Sequence, residues 1–215
     1  MDGNNRWSKN NNKNTYDAYS TGAKKLLSLS SYVFDNYEIN FISAFALSQK
    51  NLKRSSAMIK TLRKVLEYFL TQQNNSLKRN FQICFKGDFS FLDKKSINKI
   101  HSLENSNPKS KKKLIIYINY SGKDDIIKSF NNYFQTNSNK KITDTIIRDN
   151  LYSKDIPDPD ILIRTGGYQR ISDFMLYQLS FTELMFTKKL WPDLSNKDLD
   201  YFIKKYYEIE RKFGL

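Results

Sequence analysis

Short apolar runs alternate with longer amphipathic stretches along this chain, and no other feature of the sequence limits the fold as much. The apolar runs predict strands over residues 39–45, 81–85, 114–118 and 161–163. The amphipathic stretches predict helices over residues 22–37, 55–77, 123–134, 143–151 and 196–212. Because strands that alternate with helices pair in parallel, the sequence predicts an α/β fold with a mostly parallel central sheet flanked by helices.

Size and charge narrow the class of protein further. A chain of 215 residues can bury one sizeable core, and a single domain over residues 1–215 is predicted. The net charge of +14 suits nucleic acid, an anionic membrane surface or small anionic substrates as partners. The lysines are spread along the chain and no RNA-reading motif accompanies them, so a solvated basic surface is predicted and nucleic acid is not.

The sequence predicts a soluble cytoplasmic protein. No run approaches the roughly 20 apolar residues that span a bilayer, and no signal peptide precedes Asp2. The one cysteine, Cys84, lies in an apolar run, which is typical of a small core residue in a reducing compartment. The excess of lysine and arginine favours transient contact with anionic lipid.

The predicted strand at 161–163 leads into a segment suited to phosphate. Arg164 and Arg170 carry planar guanidinium groups that match phosphate oxygens, and Ser172 adds a donor. Gly166 and Gly167 permit a tight turn whose N–H groups would face an anion. Since chains leaving parallel strands enter the ligand-binding crevice of open α/β sheets, a diphosphate grip is predicted. The alternative is a glycine turn between solvated arginines.

One carboxylate, Glu183, lies within an apolar stretch that runs from residue 181 to 186. Burying an unpaired charge is expensive, so this carboxylate needs a partner. Two interpretations stay open at this point: a helix acid paired with a basic residue, and a metal ligand.

Two distant segments, in the right order, resemble the cis-prenyltransferases, the family of isoprenyl transferases and undecaprenyl diphosphate synthases. They are Met1-Asp2-Gly3-Asn4-Asn5-Arg6-Trp7 and residues 164–193, with weaker echoes at Asn119-Tyr120-Ser121-Gly122 and at residues 210–214. The resemblance covers nearly the whole chain. It implies condensation of an allylic diphosphate, such as farnesyl diphosphate, with isopentenyl diphosphate to form a cis-polyprenyl diphosphate. It also implies a homodimer.

The resemblance implies a role for each matching residue. Asp2 would be the essential carboxylate, and Asp2 and Glu183 would together hold Mg²⁺, a cation that requires oxygen ligands. The allylic diphosphate would be held by Gly3, Asn4, Asn5 and Arg6, with Trp7 packed nearby. Isopentenyl diphosphate would be bound by Arg164, Arg170, Ile171 and Ser172.

The resemblance also implies a loop that closes over the reacting ends and a hydrophobic tunnel for the prenyl chain. The loop residues are Ser48, Asn51 and Arg54, and closure would exclude water from a cationic intermediate. Asn51 or the departing diphosphate would accept the proton. The apolar face of the helix over 55–77, with Met58, Leu62 and Phe69, is either plain core or tunnel wall.

The chain departs from the family at three places. At one of them, Thr15 and Tyr19 stand where an arginine and a histidine are expected. The family's first strand, which runs into the Asp-Gly-Asn turn, is missing before Met1, so Asp2 is expected on a frayed terminus. An upstream start, with Met1 internal, or a shortened protein would explain this. In the loop, Lys50 and Leu52 replace a glutamate and a tryptophan, which bears on loop closure.

Two further functions compete with the enzyme. The first is a non-catalytic subunit that keeps the fold and supports an active homologue, and the second is a basic RNA-binding protein. A scaffold has no evident need for the full set of charged and polar residues that this chain retains. These residues are Asp2, Arg164, Arg170, Ser172 and Glu183.

Overall fold

The structure, a computed structural model, describes residues 1–52, 56–73, 80–136 and 141–210. Its strands form two parallel sheets. The larger sheet contains β1 (Phe41–Ser48), β2 (Gln82–Gly87) and β3 (Lys113–Tyr120), in the order β1-β3-β2. The smaller sheet pairs β4 (Ile161–Arg164) with β5 (Glu183–Phe186). The predicted α/β class with parallel strands is confirmed, although the described strands form two sheets.

Eight α-helices are described, together with one short 3-10 helix at Trp191–Asp193. The α-helices are α1 (Asn4–Asn10), α2 (Thr15–Asn36), α3 (Gln49–Leu52), α4 (Ser56–Gln73), α5 (Lys94–Glu104), α6 (Gly122–Thr136), α7 (Asp144–Asn150) and α8 (Asn196–Tyr207). Three of these, α1, α3 and α5, were not predicted. Residues 74–77 and 211–212, where two predicted helices end, lie outside the described part of the chain.

Side-chain caps explain where several helices begin. The side chain of Asn14 accepts the Asp17 N–H before α2, and Asp93 does the same for Ser96 before α5. Ser195 and Asp198 form a reciprocal capping box at the start of α8. These polar side chains satisfy backbone donors that would otherwise lack partners, so each helix starts at a defined residue.

Strand β3 divides the core into two clusters because successive side chains of a strand point to opposite faces. Leu114, Ile116 and Ile118 join the larger cluster, which also takes buried residues from α2, α4 and α5. Ile115 and Tyr117 join a smaller cluster with Phe174. Nearly every residue of β3 is buried, as expected for a central parallel strand covered on both faces.

Within the residues that the structure describes, no helix combines the length and the apolar character needed to cross a bilayer.

Candidate active site

Asp2 is held firmly by residues from the far end of the chain. Its backbone N–H donates to the hydroxyl of Thr165, and that hydroxyl donates to the Asp2 carbonyl, both at 2.9 Å. The backbone N–H of Trp191 donates to the same carbonyl at 2.9 Å. The expectation of a frayed terminus at Asp2 is therefore wrong, because Thr165 and Trp191 hold the Asp2 backbone.

Two arginines surround the Asp2 carboxylate. Arg164 Nη2 lies 2.9 Å from Asp2 Oδ2, and Arg6 Nη2 lies 3.8 Å from Oδ1. The Arg6 guanidinium also donates to the Gly166 carbonyl at 2.7 Å. Since the Asp2 side chain is 36% exposed, its oxygens remain accessible from the cavity described below. The structure thus brings together predicted site residues from opposite ends of the sequence.

The glycine turn after β4 works differently from the prediction. Gly166 and Gly167 have φ angles of 86° and 83°, so the turn is tight. Their N–H groups donate to the carbonyls of Lys189 and Thr187, at 2.7 and 2.8 Å. The prediction that these N–H groups face an anion is wrong. A side chain at Gly166 would collide with Arg6, because its Cβ would lie 2.6 Å from Nη2.

The residues predicted to bind isopentenyl diphosphate form one connected group. Arg164 Nη1 donates to the hydroxyl of Ser172 at 2.6 Å and also to the Arg170 carbonyl. Ser172 adopts a left-handed conformation with φ 54°, a strained state that is common at functional sites. All of the group, Ile171 included, lines the cavity.

Tyr168, which the sequence prediction overlooked, lies among these arginines. Its ring is 45% exposed and lines the same cavity. The guanidinium of Arg170 is 4.1 Å from the ring centroid, and Arg6 and Arg164 are also within cation–π range. The available signal in the sequence was an aromatic residue between two arginines that were predicted to bind phosphate.

The remaining predicted residues fall into two groups. Gly3, Asn4, Asn5, Ser48 and Asn51 line the cavity, and the Asn51 N–H donates to the Ser48 hydroxyl at 3.3 Å. Trp7 does not line the cavity, because its indole N–H donates to Asp193 at 2.7 Å and ties α1 to the 3-10 helix. Arg54 lies outside the described residues.

Glu183 is not brought to Asp2. It is the first residue of β5 and pairs in register with Ile161, whereas Arg164, the neighbour of Asp2, pairs with Phe186. At about 3.3 Å per residue, roughly 10 Å of strand separates the two ends. Glu183 also does not line the cavity. The predicted Asp2–Glu183 metal pair therefore does not form within this chain.

A divalent cation at this site would have one carboxylate, that of Asp2, as a protein ligand. Among the described residues, no group of three or more His, Cys, Asp or Glu side chains converges on a metal position. Mg²⁺ is commonly bound by one or two carboxylates together with substrate phosphate oxygens. Because Arg6 and Arg164 repel a bare cation, Asp2 would hold such an ion only together with diphosphate oxygens.

The cavity at this site has a volume of about 1660 Å³. Residues 38–51, which include β1, form one wall, and residues 156–165, which include β4, form another. Helix α4 contributes apolar side chains to the interior, namely Leu62, Val65, Leu66 and Phe69. Val65 and Phe69 are also buried, so the same helix face serves both core and cavity.

Residues 1–214 match the family model of the undecaprenyl diphosphate synthases, a group of prenyltransferases. The chain belongs to this family. The predicted resemblance to the cis-prenyltransferases is thereby confirmed, and it extends over nearly the whole sequence.

Relatives in this family are distributed across bacteria and plants. The chain is 34% identical to an isoprenyl transferase of Rickettsia typhi, with 100% of this chain and 95% of the relative covered. It is 32% identical to a Coxiella burnetii ditrans,polycis-undecaprenyl-diphosphate synthase specific for (2E,6E)-farnesyl diphosphate, with coverage of 100% and 93%.

A solved structure shares the fold at similar coverage. It is that of lavandulyl diphosphate synthase from Lavandula x intermedia in complex with dimethylallyl diphosphate, with a TM-score of 0.89 and 28% identity. The match covers 100% of this chain and 95% of the other.

Proposed function

We propose that this family member elongates a prenyl chain by condensing an allylic diphosphate with isopentenyl diphosphate to form a cis-polyprenyl diphosphate. The observation that carries the proposal is the Asp2 carboxylate, set between Arg6 and Arg164, beside an apolar cavity of about 1660 Å³. A charged grip next to an apolar space suits a substrate with a diphosphate head and a hydrocarbon tail. The cavity is proposed to serve as the hydrophobic tunnel for that tail.

The two diphosphates are assigned to the two sides of this grip. The allylic diphosphate lies against residues 3–6 and contacts Arg6, while isopentenyl diphosphate lies against Arg164, Arg170, Ile171 and Ser172. Farnesyl diphosphate is the proposed allylic substrate. Holding both substrates in one geometry lowers the entropic part of the barrier.

The reaction breaks the C1–O bond of the allylic diphosphate, and the double bond of isopentenyl diphosphate attacks that C1 carbon. This attack leaves a positive charge on C3 of the isopentenyl unit. A proton then leaves the adjacent C2. Negative charge develops on the departing diphosphate, so Arg6 stabilises the transition state more than the ground state. Of the two proton acceptors considered, Asn51 and the diphosphate, the diphosphate is the stronger base.

Asp2 is proposed to hold Mg²⁺ together with diphosphate oxygens. Mg²⁺ held there would supply positive charge next to the diphosphate. Asp2 is suited to this role because Thr165 and Trp191 fix its backbone while its carboxylate stays partly exposed.

A homodimer and a cytoplasmic location with transient membrane contact complete the proposal. Strand β5 pairs with β4 on one side and presents exposed Leu184 near exposed Phe181, which supports self-association along that edge. The net charge of +14 supports contact with anionic lipid when a hydrophobic product is released.

The decisive experiment follows labelled isopentenyl diphosphate into hydrophobic product, with farnesyl diphosphate and Mg²⁺ present. We expect Asp2→Asn to lower kcat by about a hundredfold or more, since loss of one preorganised charge interaction has effects of that order. Chelation of Mg²⁺ by EDTA is expected to stop the wild-type reaction. Glu208→Gln, which removes an exposed carboxylate from the end of α8, serves as the control and should retain activity.

Melting temperatures of both variants should stay near that of the wild type, which separates lost chemistry from lost folding. Product formation by Asp2→Asn at the wild-type rate would refute the assigned role. Absence of any product from the wild type would favour the non-catalytic subunit instead.

A further inference from the structure

Three arginines converge on the ring of Tyr168 at the edge of the cavity. The Cζ atoms of Arg170, Arg6 and Arg164 lie 4.1, 5.2 and 5.8 Å from the ring centroid. All three distances fall within the range of about 6 Å over which an aromatic face attracts a guanidinium. One exposed ring thus gathers the cations of the site.

These arginines come from three separate segments, so the ring contacts all three segments. Arg6 belongs to α1, Arg164 ends β4, and Arg170 follows the glycine turn. Their positive charges repel one another, and the repulsion is strongest when no anion is bound. The Asp2 carboxylate offsets part of it through Arg164 and Arg6.

Arg170 is the arginine that depends most on the ring. Within residues 1–52, 56–73, 80–136 and 141–210, it forms no ion pair. Its guanidinium instead lies over Tyr168 at the shortest of the three distances. A side chain held only by an aromatic face keeps its N–H donors available for an incoming anion.

Tyr168 makes little contribution to packing or hydrogen bonding in the described part of the protein. The ring is 45% exposed, so it adds little to the core. Its hydroxyl forms no hydrogen bond to any residue that the structure describes. The ring face is therefore the part of Tyr168 that interacts.

We propose that Tyr168 is a positioning residue that holds the three guanidinium groups together so that both diphosphates meet cations already in place. This inference rests on the proposed function, because it takes Arg6 for the allylic diphosphate and Arg164 and Arg170 for isopentenyl diphosphate. The ring contacts members of both sets. A change at Tyr168 therefore affects both diphosphate sites at once.

The test compares Tyr168→Leu with Tyr168→Phe in the full chain. Calorimetry measures the Kd of inorganic pyrophosphate, and turnover assays measure KM for each substrate and kcat. Tyr168→Leu is expected to weaken pyrophosphate binding about threefold to tenfold, the effect of losing one or two exposed cation–π contacts. Both KM values should rise by a similar factor, with a smaller change in kcat.

Ring-retaining variants distinguish positioning from packing. Tyr168→Phe is expected to match the wild type, because only the hydroxyl is lost. Tyr168→Trp should bind pyrophosphate at least as tightly, since the larger face attracts guanidinium groups more strongly. This variant keeps the test valid even if Tyr168→Leu fails to fold. Tyr201→Leu, which removes an exposed tyrosine that does not line the cavity, is the control and should behave as the wild type.

Equal pyrophosphate affinity in the wild type and Tyr168→Leu would overturn the inference, and so would a Phe variant as weak as the Leu variant. The outcome for the overall function is separate. If pyrophosphate binding depends on the ring while the wild type forms no prenyl product, the proposed function fails and the positioning role of Tyr168 stands.

Discussion

At the scale of single residues, Arg170 offers the sharpest test of the substrate assignment. Arg170→Ala is expected to raise the KM for isopentenyl diphosphate about tenfold or more, because a hydrogen bond to a charged group contributes roughly 1.5–3 kcal/mol. The KM for farnesyl diphosphate should change much less. Lys204→Ala, which removes one positive charge from α8 outside the cavity lining, is the matched control. An equal rise in both KM values would show that the assignment is wrong.

Asp125 allows a test of stability rather than of catalysis. It is 1% exposed, and its carboxylate accepts hydrogen bonds from the Tyr120 hydroxyl and the Tyr152 N–H, both at 3.0 Å. Burial raises the pKa of Asp125 above its ordinary value of 3.8. An acid whose pKa is raised by folding makes the folded state progressively less stable as the pH rises from the unfolded-state pKa through the raised value.

Asp125→Asn is therefore expected to stabilise the protein at neutral pH. The amide oxygen can accept from Tyr152 and the amide nitrogen can donate to Tyr120, so both contacts persist without a buried charge. A gain of about 1 kcal/mol at pH 8 is expected, the usual size for a favourable single substitution. Urea unfolding at pH 8 and below pH 3.8 measures it, and the gain should vanish at the acidic pH. A variant less stable than the wild type at pH 8 would contradict the prediction.

Single residues of the site were predictable where neighbours in sequence act together, and less so elsewhere. Arg164, Arg170 and Ser172 lie within nine positions, and the structure joins them through hydrogen bonds. The Gly166 N–H donates to the carbonyl of Lys189, and the pairing of β4 with β5 brings that carbonyl within reach. The position of Glu183 likewise depended on strand register, which the sequence does not display.

At the scale of elements, strong hydrophobic runs were predicted well and short elements were not. Strand β3, with its nearly unbroken apolar sequence, was expected within two residues of its observed ends. Helix α5 was missed because lysines and polar residues separate its few apolar residues, although the Asp93 cap marked its start. Strand β5 was missed because it has four residues, begins with Glu183 and leaves Leu184 exposed.

The edges of β1 and β4 lead to a prediction about an added strand. Among the described strands, β1 pairs only with β3 and β4 only with β5, and both walls face the same cavity. Unpaired strand edges accept further strands. An apolar segment of about six residues placed before Met1 is therefore expected to pair there. It should raise both the melting temperature and the turnover of labelled isopentenyl diphosphate.

The added strand is not needed to hold Asp2 in place. Because Asp2 is already fixed by Thr165 and Trp191, the gain should come mainly from a closed cavity wall. An extension of equal length rich in Gly and Ser, which cannot form a buried strand, is the control. Equal melting and equal turnover of both extended forms would refute the prediction.

At the scale of the whole molecule, the fold class and the family were predictable from the pattern of elements and from two motifs at opposite ends. The separation into two sheets was not, because the predicted strands alone do not state which edges pair. The cavity also could not be located in sequence. Its walls come from residues 38–51 and 156–165, which are far apart along the chain and adjacent only after folding.

The contacts of Asp2 also determine when its site can form during synthesis of the protein. Its partners Thr165 and Trp191 lie more than 160 residues further along the chain. At about 5–20 residues per second, the ribosome reaches them roughly 10–40 s after it has added Asp2. During that interval Asp2 has been synthesised, whereas the residues that hold it have not. The site around Asp2 is therefore assembled late, after β1, β2 and β3 are available to form the larger sheet.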